Sequence, residues 1–271
     1  MHCHVSGPSG APTVLFLHAA GTSGWMWEPI VERLGHLRCL VPDLPGHGNS
    51  ADRPWHSLDA TADALAELVA HQATGGRAHV VGLSLGAYVA LRLQCRAPSV
   101  VNRAVLSGLN VLPFAHPMLV RAMGYLMLPV LKRRPLLRAQ AKALRIPGER
   151  QDGYIRSAQS MSLRAFLRIG HELMAFHIDP AFRQATHPTL VVAGEREQAL
   201  IRRSVPEIVG ALPDAEGRLV PGVGHGWSGE TPELFARTLE AWFAAEPLPA
   251  ELKRLTDEPS RASTRPARPS P

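Results

Sequence analysis

Short apolar runs, each closed by glycine, proline and small polar residues, alternate along the chain with stretches whose apolar positions recur at helical spacing. Thr13–Leu17 is a continuous apolar run of strand length, which suits a strand buried on both faces. It stops at the small-residue loop His18–Gly24, after which Trp27, Ile30, Val31 and Leu34 mark one face of a helix. Arg38–Pro42 predicts a second strand, ending in the turn-rich segment Asp43–Ser50. A helix over 57–73 follows, capped by Ser57 or Asp59, with Leu58, Ala62, Leu65 and Val69 on one side. Ala78–Leu83 then reads as a strand running through a sharp turn at Ser84 into a helix over Ala87–Arg96, and 100–107 as another strand. His2–Val5 has room for one short strand before all of these. Strand and helix in alternation predict a parallel sheet covered on both faces.

The alternation breaks over 109–186, a stretch of helical segments punctuated by proline and glycine, among them Met118–Val130, Leu136–Leu144 and Ser162–Phe176. It resumes with a strand at Thr189–Gly194, a helix around Ile201–Leu212 and a strand at Arg218–Val220. The last helix opens at Thr231-Pro232, cap and first helical position, and buries Leu234, Phe235, Leu239, Trp242 and Phe243. From Pro247 the composition turns to proline, serine, arginine and threonine. A tail over 247–271 is therefore expected to be disordered and dispensable.

Composition narrows the function classes. At 271 residues, 45% of them hydrophobic and 19% charged, the chain can bury a full core, and no apolar run reaches the length of a membrane span. Three scattered cysteines, Cys3, Cys39 and Cys95, form no Cys-x-x-Cys pair, and the start Met1–Val5 lacks the pattern of a signal peptide. A reducing cytoplasm is the expected location. The net charge of +6 raises nucleic acid as a partner, but the arginines are dispersed. Lys132-Arg133-Arg134, the one tight basic run, reads as a solvated surface. No glycine-rich phosphate or dinucleotide loop follows a strand, and His116, His171, His177 and His187 have no metal-ligand spacing, so no cofactor and no metal is expected. The expected partner is a small-molecule substrate.

Chemistry gathers in the turns that follow strands, where an open parallel sheet builds its sites. Gly82-Leu83-Ser84-Leu85-Gly86 sits between a strand and a helix. A serine at the apex of such a turn adopts a strained backbone, stands clear of the sheet and faces the first amides of the helix, provided its neighbours are small. A serine hydroxyl needs a base within reach and a third group to orient that base. The polar residues that follow the other strands are His18, Asp43, Glu195, Glu197 and His225. Serine, then glutamate, then histidine is the chain order of one hydrolase fold.

Five features in that order resemble the α/β-hydrolase superfamily, in its esterase-like branch with a helical cap. They are His18-Ala19-Ala20-Gly21, Asp43–Ser50, the Ser84 turn, Gly194-Glu195-Arg196-Glu197 and Gly224-His225, and together they span nearly all of residues 5–245. The resemblance implies an α/β-hydrolase fold with a core over 1–109 and 187–246 and a helical cap over 110–186. It implies Ser84 as nucleophile and His225 as general base and then acid. It also implies an oxyanion hole from the amides of Leu85 and Ala20. Relatives with Gly-Glu-Lys-Asp place the catalytic acid last, which aligns Glu197 ahead of Glu195, with Asp43 behind both. Many relatives read His-Gly where this chain has His18-Ala19. His18 is expected to brace the loop after the first long strand, Asp43 to fix its turn through backbone amides, and Trp25 and Trp27 to serve as core or pocket wall.

The expected activity is hydrolysis of an ester-like bond through an acyl-enzyme on Ser84, with thioester or amide hydrolysis, carbon–carbon cleavage, perhydrolysis or acyl transfer open to the same residues. A non-catalytic small-molecule receptor is the reading from another class. The Met- and Leu-rich run Met118–Leu128 could line an apolar acyl site or merely pack a cap helix. Oligomeric state is not legible.

Overall fold

The computed structural model describes residues 1–116, 118, 132–143, 146 and 148–255. Its strands are β1 (Cys3–Ser6), β2 (Thr13–Leu17), β3 (Arg38–Pro42), β4 (Ala78–Leu83), β5 (Val101–Ser107), β6 (Thr189–Gly194), β7 (Ala215–Val220) and β8 (Lys253–Arg254). They form one sheet in the order β1-β3-β2-β4-β5-β6-β7-β8. The inner pairings from β3 to β7 are parallel, and β1 and β8 add antiparallel edges. This is the α/β-hydrolase fold that the sequence predicts. The strand order reverses at β2, whose neighbours are β3 on one side and β4 on the other. The loops after β2 and β4 therefore diverge and leave a crevice at the carboxyl ends of the strands.

The strands are continuous apolar runs because each feeds two cores. In β2, Leu15 and Leu17 enter one apolar cluster while Val14 and Phe16 enter the other. In β6, Val191 and Ala193 separate from Leu190 and Val192 in the same way. Helices α2 (Leu58–Gln72) and α3 (Leu85–Arg96) cover the first cluster through Leu65, Val69, Val89 and Leu93. Helix α1 (Glu28–Arg33) and the helix Pro232–Ala244 cover the second, where Ile30, Phe235, Leu239 and Trp242 pack. Ser57 caps α2 through a hydrogen bond from Ala60 N at 3.0 Å, as its position ahead of the apolar repeat predicts.

Between β5 and β6 lie the helices Arg134–Ala143, Gln151–Ser160 and Leu163–Ala175. The middle one was not legible, because Asp152-Gly153 dilutes its apolar spacing and it buries only Tyr154, Ile155 and Ser157. The expected helix Met118–Val130 and the apolar run Met118–Leu128 lie, Met118 apart, outside the described residues. Leu137, Ala141, Tyr154 and Ile155 form a small core that Trp25 closes from the sheet side. Trp25 Nε1 also donates to Ser157 Oγ at 2.9 Å. Glu172, on the helix Leu163–Ala175, accepts from Trp55 Nε1 at 2.7 Å and from Leu58 N at 3.1 Å, which ties the insertion to the start of α2.

The expectation of a disordered tail from 247 is corrected for residues 247–255. Lys253 and Arg254 pair with Leu219 and Arg218 of β7. Leu252 is 5% exposed, and Leu248 packs beside it on the second cluster. Leu255 packs over Gly217, where a Cβ would overlap it. Three leucines at spacings of four and three carry this docking, and the surrounding proline and charge hid them from a reading by composition. Residues 256–271 are not among those described. Burial of Leu252 alone accounts for about 2 kcal/mol. A chain ending at Glu246 should therefore melt about 4–8 °C below one ending at Leu255, measured by differential scanning calorimetry.

Candidate active site

Ser84 stands between β4 and α3 with φ 53° and ψ −119°, a left-handed backbone that a non-glycine residue rarely adopts. Tight packing holds it there. A Cβ on Gly82 would overlap the Gly86 carbonyl, and one on Gly86 would overlap the Leu17 carbonyl, so α3 starts against β2 and β4 at a distance that only glycine permits. Ser84 N donates to Ser107 O at 2.8 Å, which fixes the turn to the end of β5. Leu85 is the first helical residue, so its amide has no carbonyl within the helix to bind. The helix begins at Leu85 rather than Ala87.

His225 and Glu197 come together from the loops after β7 and β6. His225 Nδ1 lies 3.2 Å from Glu197 Oε2, with the glutamate side chain fully buried and the imidazole 31% exposed. A carboxylate only accepts, so Nδ1 is the protonated nitrogen in this contact. Glu195 is elsewhere: it accepts from Gly222 N at 3.0 Å and pairs with Lys253 at 3.1 Å on the surface. These contacts hold its carboxyl below the usual range, the Gly222 amide first and Lys253 second. Of the two glutamates, Glu197 is the one beside His225. Strand periodicity could not separate them, because the chain turns at Gly194 and Glu197 N bonds back to Gly194 O at 3.1 Å.

The loop after β2 is braced from below. His18 is fully buried, its Nδ1 donating to Ala19 O at 2.9 Å and its Nε2 accepting from Leu44 N at 2.9 Å. Ala19 O also accepts from Thr22 N at 3.2 Å and from Thr22 Oγ1 at 2.7 Å. The left-handed residue of this loop is Gly21, at φ 74°, and alanine at position 19 brings no strain. Asp43 accepts from Gly24 N at 2.8 Å and Asn49 N at 2.7 Å, the turn-fixing role expected of it. Trp27 is a core residue.

Ser84, His225, Ala20 and Trp25 line one cavity of about 270 Å³, roofed by the insertion. Its lining is mostly apolar: Ala19, Met26 and Leu83 contribute beside the polar atoms of the site. The carboxylate is behind His225, outside the lining. Among the described residues no three His, Cys, Asp or Glu side chains gather to hold a metal.

Gly108 is a site residue that the motifs do not contain. It follows β5 with φ 70°, and a Cβ there would lie 2.8 Å from His225 Cε1 and 3.4 Å from Glu197 Oε1. Its only sequence signal is a glycine directly after an apolar strand. Tyr88 and Asn110 buttress the same loop: Tyr88 OH donates to Asn110 O at 3.0 Å and accepts from Asn110 N at 2.7 Å. Burial, and then the Glu197 charge, push the Tyr88 phenol up to about 12, so it stays a donor.

His18 and His47 stack edge to face at 5.0 Å, both fully buried. Burial holds His18 down to about 4 and His47 down to about 3, the latter also by the neighbouring imidazole. The unfolded chain takes up these protons near pH 6.5 and the folded chain does not, so stability falls as pH drops through about 6.5 toward 4. Each imidazole steepens that fall by up to ~1.4 kcal/mol per pH unit. Urea midpoints between pH 8 and 4.5 should show a smaller acid loss for His47→Phe than for the parent, even though the variant starts lower at pH 8.

A family model described as the alpha/beta hydrolase family matches residues 14–238. A protein of Gibberella zeae named as an AB hydrolase superfamily protein is 30% identical over 252 residues, covering 89% of this chain and 83% of that one. An esterase of Mycobacterium tuberculosis is 40% identical over 98 residues, which span 35% of this chain and 32% of that one. Among solved structures, a thermophilic esterase from Thermogutta terrifontis superposes with a TM-score of 0.72 at 20% identity, covering 90% of this chain and 93% of that one, a likeness of fold. Among the described residues no helix is long and apolar enough to cross a membrane. The match over most of its length, on a sheet of this order, means that the chain belongs to the alpha/beta hydrolase family and is a hydrolase.

Proposed function

We propose that the protein is a serine hydrolase that cleaves an ester-like bond of a small, largely apolar molecule. The observation that carries the reading is the left-handed Ser84 at the start of α3, lining one cavity with a histidine whose Nδ1 is held by a buried glutamate. Ser84 Oγ attacks the carbonyl carbon as His225 Nε2 takes its proton, and the carbonyl π pair moves onto oxygen. The Leu85 and Ala20 amides face that charge. Collapse of the tetrahedral adduct breaks the bond to the leaving oxygen, which His225 protonates. Water then attacks the acyl-enzyme by the same route and returns the proton to Ser84. Glu197 holds the imidazole in one tautomer and stabilises it when charged. Residues 110–186 act as a cap that keeps water from the reacting carbonyl. The three cysteine thiols are unpaired, which fits action in a reducing cytoplasm.

Ser84→Ala should fold like the parent and lose turnover of p-nitrophenyl esters by about 10³-fold or more, and a fluorophosphonate should label only the parent. Labelling of the variant at another residue would reassign the nucleophile. Glu197→Gln should lower kcat about 10²-fold or more, with Glu195→Gln within about twofold of the parent. The reverse ranking would make Glu195 the acid.

Gly108→Ala tests the packing under the histidine. Displacing His225 by a few tenths of an ångström should lower kcat about 10-fold or more and leave KM nearly unchanged. Unchanged kcat in a folded Gly108→Ala protein would show that the imidazole does not depend on this contact.

A further inference from the structure

The roof of the cavity is chemically unlike its floor. From the insertion, Gln140, Arg150 and Tyr154 line it together with Ile146. Tyr154 is 5% exposed, and among the described residues its hydroxyl, like the Gln140 amide, makes no hydrogen bond. Arg150 uses one nitrogen for its contacts: Nη1 reaches Trp25 O at 3.3 Å and Glu28 Oε2 at 3.6 Å. Its Nε and Nη2 make no bond among the described residues. Glu28 is 63% exposed, so water screens the charge that it offers. No aspartate or glutamate lines the cavity. A guanidinium, a phenol and an amide thus line a mostly apolar cavity with donors that no described protein group takes up, Gln140 being exposed, Arg150 half-buried and Tyr154 buried.

We propose that these three side chains bind a carboxylate, and that the substrate is a small ester that also carries a free carboxylate away from the scissile bond. The inference rests on the reading of Ser84, His225 and Glu197 given above. A carboxylate suits the set because it is acceptor-only, matches the planar fork of Arg150 with two oxygens and carries the single negative charge that one guanidinium balances. Tyr154 stays a donor throughout the working range, since burial pushes its phenol up to about 12. About 270 Å³ holds an ester of this kind with a chain of a few carbons between the two groups. The rest of the lining, Trp25 and Met26 among it, packs on that chain.

Two substrate pairs test the idea and locate the carboxylate. Mono-p-nitrophenyl glutarate against p-nitrophenyl pentanoate places it in the acyl half. Acetate esters of 4-hydroxybutyrate against butyl acetate place it in the alcohol half. The charged member of one pair should have a kcat/KM about 10-fold or more above its neutral partner, and that pair names the half. Arg150→Gln should bring the ratio to near one, mainly through KM. Tyr154→Phe, which removes a single oxygen and leaves the ring in its small core, should lower the ratio about threefold. Equal rates within both pairs, or a ratio unchanged in Arg150→Gln, would overturn the proposal. Calorimetric binding of monomethyl glutarate to Ser84→Ala separates this site from the catalytic reading. Affinity about 10-fold weaker in the Ser84→Ala/Arg150→Gln protein supports the carboxylate site even if no ester is turned over. Equal affinity in the two proteins, alongside good ester turnover in the parent, would sink the site and leave the hydrolase reading intact.

Discussion

The geometry of the site depends on the contact between α3 and the sheet. Ser84 holds φ 53°, a conformation that costs a non-glycine residue on the order of 1–3 kcal/mol, and nothing local favours it. What holds it is the surrounding packing. Gly86 lies against the Leu17 carbonyl, Gly82 against Gly86, and Ser84 N bonds to Ser107 O. Side chains at either glycine would lift the helix, relax the turn and move the serine and the Leu85 amide together. The left-handed backbone thus couples Ser84 and the Leu85 amide to the spacing of β2, β4 and β5.

A second constraint is the buried charge of Glu197. One carboxylate oxygen meets His225, and the other makes no hydrogen bond among the described residues. A carboxylate this poorly compensated is destabilising in itself, so its geometry rests on the His225 contact. The position under the pair must then be free of atoms, which is where Gly108 enters. The loop carrying it is set by Tyr88 from α3 and by Ser204 through Asn110 Oδ1 at 2.9 Å. Glu197, His225 and Ser84 are therefore supported by neighbouring elements of the same sheet.

The insertion meets this core through directional bonds as well as apolar packing. Trp25 belongs to the core chain, yet its indole bonds Ser157 and its ring closes the small cluster around Tyr154. Arg150 reaches back to the Trp25 carbonyl. Glu172 joins the insertion to α2 on the other side. Apolar packing joins the two as well: Met161, Ala165, Ile169 and Phe182 enter the first core cluster beside Trp55, Leu58 and Tyr88.

The sequence by itself determined the sheet and the sharp turn that carries Ser84. Strands such as Thr13–Leu17 are apolar at successive positions because they serve two cores, and Gly-Leu-Ser-Leu-Gly between a strand and a helix can form few other structures. Ser57 was legible because its partner, Ala60 N, lies in the first turn of the helix that it caps. Tertiary structure alone decided the contacts between segments far apart in the chain. Glu195 and Glu197 differ only in what the turn after Gly194 presents to them, a surface lysine in one case and His225 in the other. Gly108 matters only because His225 lies over it, 117 positions later in the numbering. Leu248, Leu252 and Leu255 are sparse in a polar segment and gain meaning only against β7 and the helix before it. Local spacing reports local periodicity, and side chains that meet across the fold leave no period to read.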